Sequence, residues 1–466
     1  LAFSTLGGRV NDLYGVLFQK VLYPSWESGF RRRPTLAHLE ELERSEWRSL
    51  DELKAFQTRE LRKLIEHAYN HSPHYRRTFA ERGVVPSDIG TVDDLPKLPL
   101  LSRELARDCF EERTSSAEPL PKIRKMTSGT SGRPLDFAYD LGSEYWRQAT
   151  KLRGYGWAGY RPGDCSLHFW GSIAAVQKPA LKKRIKCALD HMVRREHYVD
   201  CSDHSAAALD KVIQRIRAVR PKVMVCYAQA GAALARHVLE TKRRDWGDIN
   251  IISAAERLFP VDREVMIKAF GPNVFETYGS REVMLIAAEC SAHQGLHMSM
   301  ENLVVELVVR EGDKERPATV GELGEVVVTD LHNYGGPFIR YVNGDLAVAA
   351  APGRCGCGRE LSRLETIEGR QTDTLRDGQG RPIGGMFFIV VFSVLADKVR
   401  GFQVVQRKDR SIDLKLVPGA QFDDSLLQMV KRNCEKAIPG VDVRMHVVPE
   451  IPAGPGGKSR VVVVEN

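Results

Sequence analysis

From Ser205 to Gly279 two kinds of pattern alternate, and this alternation restricts the fold more than any other feature of the chain. "SAAALDKVIQRIRAVRP" (Ser205–Pro221) spaces its apolar residues three and four apart, as a helix does, and stops at a proline. "KVMVCYA" (Lys222–Ala228) is a short apolar run of strand type. Helix-like "QAGAALARHVLET" (Gln229–Thr241), strand-like "INIISAAE" (Ile249–Glu256), helix-like "VDREVMIKAF" (Val261–Phe270) and strand-like "NVFETYG" (Asn273–Gly279) follow. Strands apolar on both faces, each followed by a helix, predict an α/β fold with a largely parallel sheet covered by helices. "DCSLHFWG" (Asp164–Gly171) reads as one more buried strand.

The flanks differ. Leu39 to Phe79 has helical spacing with charges between, broken at "NHSPHY" (Asn70–Tyr75), and prolines divide Thr91–Asp108 into short elements. "LVVELVV" (Leu303–Val309) and "GELGEVVVTDL" (Gly321–Leu331) read as antiparallel strands. From about Gln371 the chain mixes strands with one helix, "DDSLLQMVKRNCEKAI" (Asp423–Ile438), which suggests a small α+β domain. With 466 residues the chain exceeds one compact core. The expected division is a helical region over 1–110, a large core over 111–370 and a small C-terminal domain over 371–466.

The 68 basic and 60 acidic residues leave a net charge of +8, spread thinly. The densest runs are "KKRIK" (Lys182–Lys186) and "VRREH" (Val193–His197), and a solvated face is the expectation for both. They are not interleaved with aromatics, which argues against a nucleic-acid partner. No apolar run is long enough to cross a membrane. "LYGVLFQKVLYP" (Leu13–Pro24) is apolar, and packing on the body is expected over contact with a membrane surface. Six of the nine cysteines stand alone, which suits buried thiols in a reducing, cytoplasmic compartment.

"KMTSGTSGRPLDF" (Lys125–Phe137) packs glycines and hydroxyls into Thr127–Gly132 and leads into a strand-like stretch. Glycine admits unusual dihedrals and Ser or Thr donates hydrogen bonds, so the run suits a phosphate cradle. It is not a P-loop, because no Lys follows the second glycine. Thr127, Ser128, Gly129, Thr130, Ser131 and Gly132 resemble the "TSGTTG-P" loop of the adenylate-forming (acyl-AMP synthetase) superfamily. "SAAERL" (Ser253–Leu258) resembles the family's S-G-A-E segment through Glu256. "ETYGSRE" resembles its adenine-contacting segment through Glu276, Thr277, Tyr278, Gly279, Ser280 and Glu282. "RYVNGDL" (Arg340–Leu346) resembles R-Y-R-T-G-D-L through Asp345, "GRQTD" (Gly369–Asp373) resembles G-R-x-D-D through Arg370, and "PAGPGGKSR" (Pro452–Arg460) resembles the terminal P-x-x-x-G-K segment through Lys458. Leu61–Val84 and Arg354–Arg370 are similar to the phenylacetate-CoA ligase branch, and Asp373–Gly385 is most like its capsule- and exopolysaccharide-associated relatives.

The resemblance implies ATP-dependent activation of a small-molecule carboxylic acid. Its carboxylate attacks the α-phosphate, pyrophosphate leaves and an acyl-adenylate forms. Two anions approach each other, so charge neutralisation dominates the barrier. Lys458 is implied as the cation bridging carboxylate and phosphate, Glu282 as a Mg²⁺ ligand, Asp345 as the ribose acceptor, Arg370 near ribose and phosphate, and Tyr278 as a face for adenine. Transfer to the thiol of coenzyme A would follow, with the C-terminal domain turning about a hinge just after Arg370. The alternatives are transfer to an amine or hydroxyl, or a nucleotide-binding scaffold without catalysis. The oligomeric state stays open, a homodimer being one option.

"CSAHQGLH" (Cys290–His297) and "CGC" (Cys355–Cys357) together offer four soft or borderline ligands, which suits tetrahedral structural Zn²⁺. Some members of the phenylacetate-CoA ligase branch carry zinc in these segments, and the resemblance extends to Cys290, His297, Cys355 and Cys357, with His293 the alternative ligand. Several positions depart from the family. Arg281 stands for Ser or Thr, Val342 and Asn343 for Arg and Thr, and Thr372 for the hinge Asp, a place that Asp373 is the other candidate to fill. Trp157, Phe169 and Trp170 are candidates for an apolar acyl pocket, with core packing the commoner fate of such aromatics.

Overall fold

The computed structural model describes residues 13–127, 135–170, 181–201, 205–311 and 314–370, and beyond them parts of 375–465 including 398–419 and 440–451. The N-terminal region is helical, with helices at Thr35–Ser45, Leu50–His71 and Pro73–Arg82. Ser49 and Glu52 form a capping box at the start of the second, with each side chain answering the other's backbone N–H. "NHSPHY" costs only Ser72. The next helix begins at Pro73, whose missing N–H and fixed φ suit a first helical position. Leu61, Leu64, Ile65, Tyr75 and Phe79 bury against Leu331 and Ile339, which ties these helices to the sheet.

A hairpin of β1 (Lys122–Met126) and β2 (Asp136–Asp140) flanks the glycine loop, whose Ser128–Pro134 lie outside the described residues. The main sheet has twelve strands among the described residues. Its parallel half contains β3 (Ser166–Trp170), β4 (Glu196–Asp200), β5 (Val223–Tyr227), β6 (Asn250–Ala254) and β7 (Val274–Ser280), in the order β7-β6-β5-β3-β4. The helices at Ala206–Val219, Ala228–Glu240 and Pro260–Phe270 pack against it, as the alternation predicts.

At β7 the sheet changes character. β8 (Met284–Glu289) pairs antiparallel with it, and β9 (Leu296–Met298), β10 (Leu303–Glu311), β11 (Lys314–Pro317), β12 (Leu323–Asp330), β13 (Tyr341–Ala349) and β14 (Arg363–Arg370) extend the antiparallel half. β10 and β12 are the two strands read as antiparallel partners. Beyond β14, β15 (Val399–Gln406), β16 (Ile412–Pro418), β17 (Val443–Val447) and β18 (Val462–Val464) form a separate four-stranded sheet. Val404, Ile412, Leu414, Leu416 and Val443 give it its own core. Residues 427–432 are helical, and the rest of the expected Asp423–Ile438 helix is largely outside the described residues.

Candidate active site and metal cluster

The carboxyl ends of parallel strands leave a crevice where connections diverge, and ligands collect there. Here β5, β6 and β7 end at Tyr227, Ala254 and Ser280, and β7 is the border between the parallel and antiparallel halves. The loop after β6 carries strain. Ala255 has φ +66°, a left-handed conformation that costs a residue with a Cβ on the order of 1 kcal/mol. Two carboxylates hold it. Leu258 N–H donates to Glu276 Oε1 at 3.1 Å, and Glu256 Oε2 accepts Gln229 N–H at 3.1 Å. Glu276 therefore braces the loop from below, and burial pushes its carboxyl up to about 7. Arg257 forks onto Glu368 of β14 at 2.7 and 2.9 Å, two residues before Arg370.

Tyr278 near the end of β7 donates its hydroxyl to Asp345 Oδ2 at 2.8 Å. Asn343 Nδ2 donates to both, at 2.9 Å to the Tyr278 oxygen and 2.6 Å to Asp345 Oδ2. The departure at Asn343 thus supplies the link between two predicted site residues. Asp345 also sits opposite Arg370 in the β13–β14 ladder, whose side chain is outside the description. Thr277 turns the other way and donates to Ser253 O at 2.9 Å, a structural tie between β7 and β6. The Ser280 hydroxyl is buried without a partner among the described residues. Gly279 is required by space, because a Cβ there would lie 2.0 Å from Met284 O across the β7–β8 turn.

Glu282 is buried, and its Oε1 accepts Arg103 Nη1 at 2.8 Å and the Tyr341 hydroxyl at 3.2 Å. Arg103 Nη2 reaches onward to Thr127 Oγ1 at 2.9 Å. Thr127 closes the base of the glycine loop, since its N–H donates to Leu135 O at 3.0 Å and its Oγ1 accepts Leu135 N–H at 2.9 Å. One guanidinium therefore joins the predicted magnesium ligand to the predicted phosphate loop. Sequence reasoning missed Arg103 because it is far from every motif. Leu101 brings it in by exchanging backbone hydrogen bonds with Arg340 and Val342 at 2.9 and 3.0 Å. Arg281 is exposed, and its charge, after burial and alongside Arg147, helps lower the Lys125 ammonium below its usual range. Ser128, Gly129, Thr130, Ser131, Gly132, the two hinge candidates Thr372 and Asp373, and Lys458 lie outside the described residues.

The second cluster is fully described. The ligand atoms of Cys290, His297, Cys355 and Cys357 all lie within 4.8 Å of one another. Cys290 Sγ is 3.8 Å from Cys355 Sγ, and Cys357 Sγ is 3.3 Å from His297 Nε2. A tetrahedron with Zn–S bonds of about 2.3 Å has S–S edges of about 3.8 Å. His297 Nδ1 lies 3.3 Å from Leu361 O, which orients Nε2 toward the thiols, and burial lowers the imidazole to about 4, so it is neutral. Gly295 has φ +85°, and a Cβ would lie 2.4 Å from Leu364 O, so only glycine lets the chain turn from Cys290 to His297.

His293, the alternative ligand, lies apart. Its Nδ1 is 3.0 Å from Glu289, and its ring stacks on Phe275 at 5.1 Å. The aromatic candidates also separate. Phe169 is core. Trp157 sits edge-on to His297 at 5.5 Å and donates to Glu46 at 2.9 Å, so it packs on the Cys/His cluster. Trp170 alone stands at a strand end, 4.5 Å from Tyr227.

No protein-family model matches the chain. Curated relatives do. It is 24% identical over 373 residues to the phenylacetate-coenzyme A ligase of Thermus thermophilus, covering 78% of this chain and 80% of that one. It is 28% identical over 347 residues to that of Escherichia coli K12, covering 70% and 73%. The chain is a relative of the phenylacetate-coenzyme A ligases. Its fold is that of 2-hydroxyisobutyryl-CoA ligase, at 18% identity, with 91% of this chain and 92% of that one covered. The TM-score is 0.73 against that ligase in its postadenylation state with R3-HIB-AMP, and 0.58 in its thioesterification state with 2-HIB-AMP and CoA. The adenylate-forming fold with a small C-terminal domain is thus the one expected from the motifs.

Proposed function

We propose that the chain is an AMP-forming acid–CoA ligase. It activates a carboxylic acid with ATP to an acyl-adenylate and then passes the acyl group to the thiol of coenzyme A. The observation that carries this reading is the arrangement of Tyr278, Asn343 and Asp345 beside Glu282, Arg103 and Thr127 at one end of β7.

A carboxylate oxygen attacks the α-phosphorus, the bond to the β,γ-phosphates breaks, and pyrophosphate leaves. Tyr278 and Asp345 would hold adenine and ribose, with Asn343 fixing both. Both described contacts of Glu282 fall on Oε1, which leaves the carboxylate turned so that Oε2 suits a hard cation. Mg²⁺ held there would neutralise the leaving pyrophosphate. Arg103 sets the Glu282 carboxylate and the Thr127 loop base relative to each other. Lys458 is the cation proposed for the attacking carboxylate. In the second step the thiol sulfur attacks the acyl carbonyl and AMP leaves.

The Cys290, His297, Cys355 and Cys357 cluster is proposed to bind one structural Zn²⁺. The donor set and the separations fit a closed four-ligand site with no position for substrate. It would pin the Cys355 loop to β9 and, through Arg359–Glu46 at 2.5 Å and Trp157–Glu46, to the N-terminal helices.

The test is pyrophosphate release with ATP and Mg²⁺ across a panel of carboxylic acids, with and without coenzyme A. Release with one acid, and loss of free thiol on adding CoA, is the expected result. Release that never consumes thiol would redirect the second step to an amine or hydroxyl. Silence across a broad panel would overturn the catalytic reading.

A further inference from the structure

The segment from Leu13 to Arg33 shows one apolar face to solvent. Phe18–Leu22 and Ser25–Phe30 are π-helical, with an i→i+5 ladder of roughly four to five residues per turn. That winding keeps side chains four and five apart in line. Phe18, Tyr23 and Glu27 are buried on the body. Phe18 packs on the Gly163 backbone. Leu13, Leu17, Leu22, Trp26 and Phe30 form the outer ridge, and Leu13 and Phe30 are 67% and 73% exposed. The expected packing on the body thus holds for one face only.

A second exposed apolar group adjoins it. The Tyr14 hydroxyl donates to Val193 O at 2.8 Å, and the Arg194 and Arg195 guanidinium carbons lie 5.4 and 5.3 Å from the Tyr23 and Tyr14 rings. This joins the ridge to the end of the helix Leu181–Arg194, where Leu189, Met192 and Val193 are also exposed. The charge around both is positive. Lys20, Arg31 and Arg32 are exposed, and Arg31 lies 5.7 Å over the Trp26 ring. The acids facing the patch have cations beside them: Glu27 is buried beside Arg33, Asp190 pairs with Arg194, and Glu196 lies in the field of Arg194 while accepting the Tyr160 hydroxyl. Arg195 adds a further cation beside the Tyr14 ring.

We propose that this face is a peripheral docking site for an anionic lipid bilayer, with the Leu13–Phe30 ridge and the Leu189–Val193 turn inserted at headgroup depth and the basic residues on the anionic headgroups. An apolar ridge with Trp and Phe, rimmed by Arg and Lys, is the composition of an interfacial helix. A second copy of the chain fits less well, because a two-fold contact would set this cationic patch against itself. No described helix is long and apolar enough to cross the bilayer, so the contact is one of surface docking.

The test is sedimentation of the full chain with vesicles of phosphatidylcholine alone and with phosphatidylserine added. Binding is expected only with phosphatidylserine, and it weakens as salt rises. Leu17→Glu and Phe30→Glu should each weaken partitioning about tenfold, as the loss of one inserted apolar side chain predicts. Both positions are exposed, so unchanged circular dichroism and melting are expected of the variants. Absence of vesicle binding, or full binding retained when Leu17→Glu and Phe30→Glu are combined, overturns the proposal. Dimerisation abolished by the same substitutions without lipid binding also overturns it and assigns the face to a second copy.

Discussion

The Cys/His cluster and the Tyr278–Glu282 site are both polar assemblies set at strand ends, yet their charges are balanced differently. In the first, three thiols and a neutral imidazole converge; burial pushes the Cys290 thiol upward, while, despite burial, hydrogen bonds from Arg359 hold the Cys357 thiol below its usual range. Such a group of donors gains most from a divalent cation. In the second, the acid Glu282 already has the cation Arg103 at 2.8 Å and a phenol at 3.2 Å. It keeps its shape with its own partners and can exchange charge with an incoming ligand. The comparison teaches that the chain answers the one buried carboxylate with a guanidinium of its own, whereas Arg359 reaches one thiol of a group of three.

The largest effect should separate the two at once. Lys458→Ala is expected to lower pyrophosphate release at least about a hundredfold, the scale of losing a transition-state electrostatic contact, with melting temperature unchanged. Substituting Cys355→Ser with Cys357→Ser should do the reverse. It should release one zinc per chain, read by metal analysis, and remove about 4 kcal/mol of stability when zinc stands a thousandfold above its dissociation constant. Wild-type protein purified without zinc would refute the cluster's role.

Arg103→Ala comes next. It strips the counter-charge from buried Glu282, so both kcat and stability should fall, and Arg103→Lys should restore stability better than rate because one ammonium cannot replace the fork. Equal restoration of both would show that Arg103 only balances charge. The smallest effect concerns pH. The Glu276 carboxyl titrates near 7 in the folded protein, above its usual value. Its protonated form favours the fold below the ordinary carboxylate range, and that contribution is lost as pH rises through about 7. Glu276→Gln should therefore flatten the decline in melting temperature across that window, and an unchanged slope would assign it elsewhere.

Much of this was legible in the chain. Apolar runs such as "KVMVCYA" can satisfy themselves only as buried strands, and the helical spacing between them leaves a covered parallel sheet. The three thiols of the Cys/His cluster were legible because Cys is rare and chemically distinctive, while the sequence offered both His297 and His293 as their partner. Arg103 was not, since an arginine in a short helix looks like any solvated one until a backbone bridge at Leu101 delivers it. Trp157 was equally opaque, because its role depends on Glu46 and His297, remote along the chain. The exposed ridge at Leu13–Phe30 needed the π-helical winding, which no periodicity of the ordinary helix would have aligned.

By itself the sequence determined the alternation of elements from Ser205 to Gly279 and the identity of the candidate side chains, because period, apolarity and donor chemistry are local properties. Only the tertiary structure decided which carboxylate is neutralised, which histidine joins the thiols and which apolar face stays in water. Those depend on groups brought together by burial and backbone pairing across hundreds of residues, and no local pattern encodes a neighbour so distant.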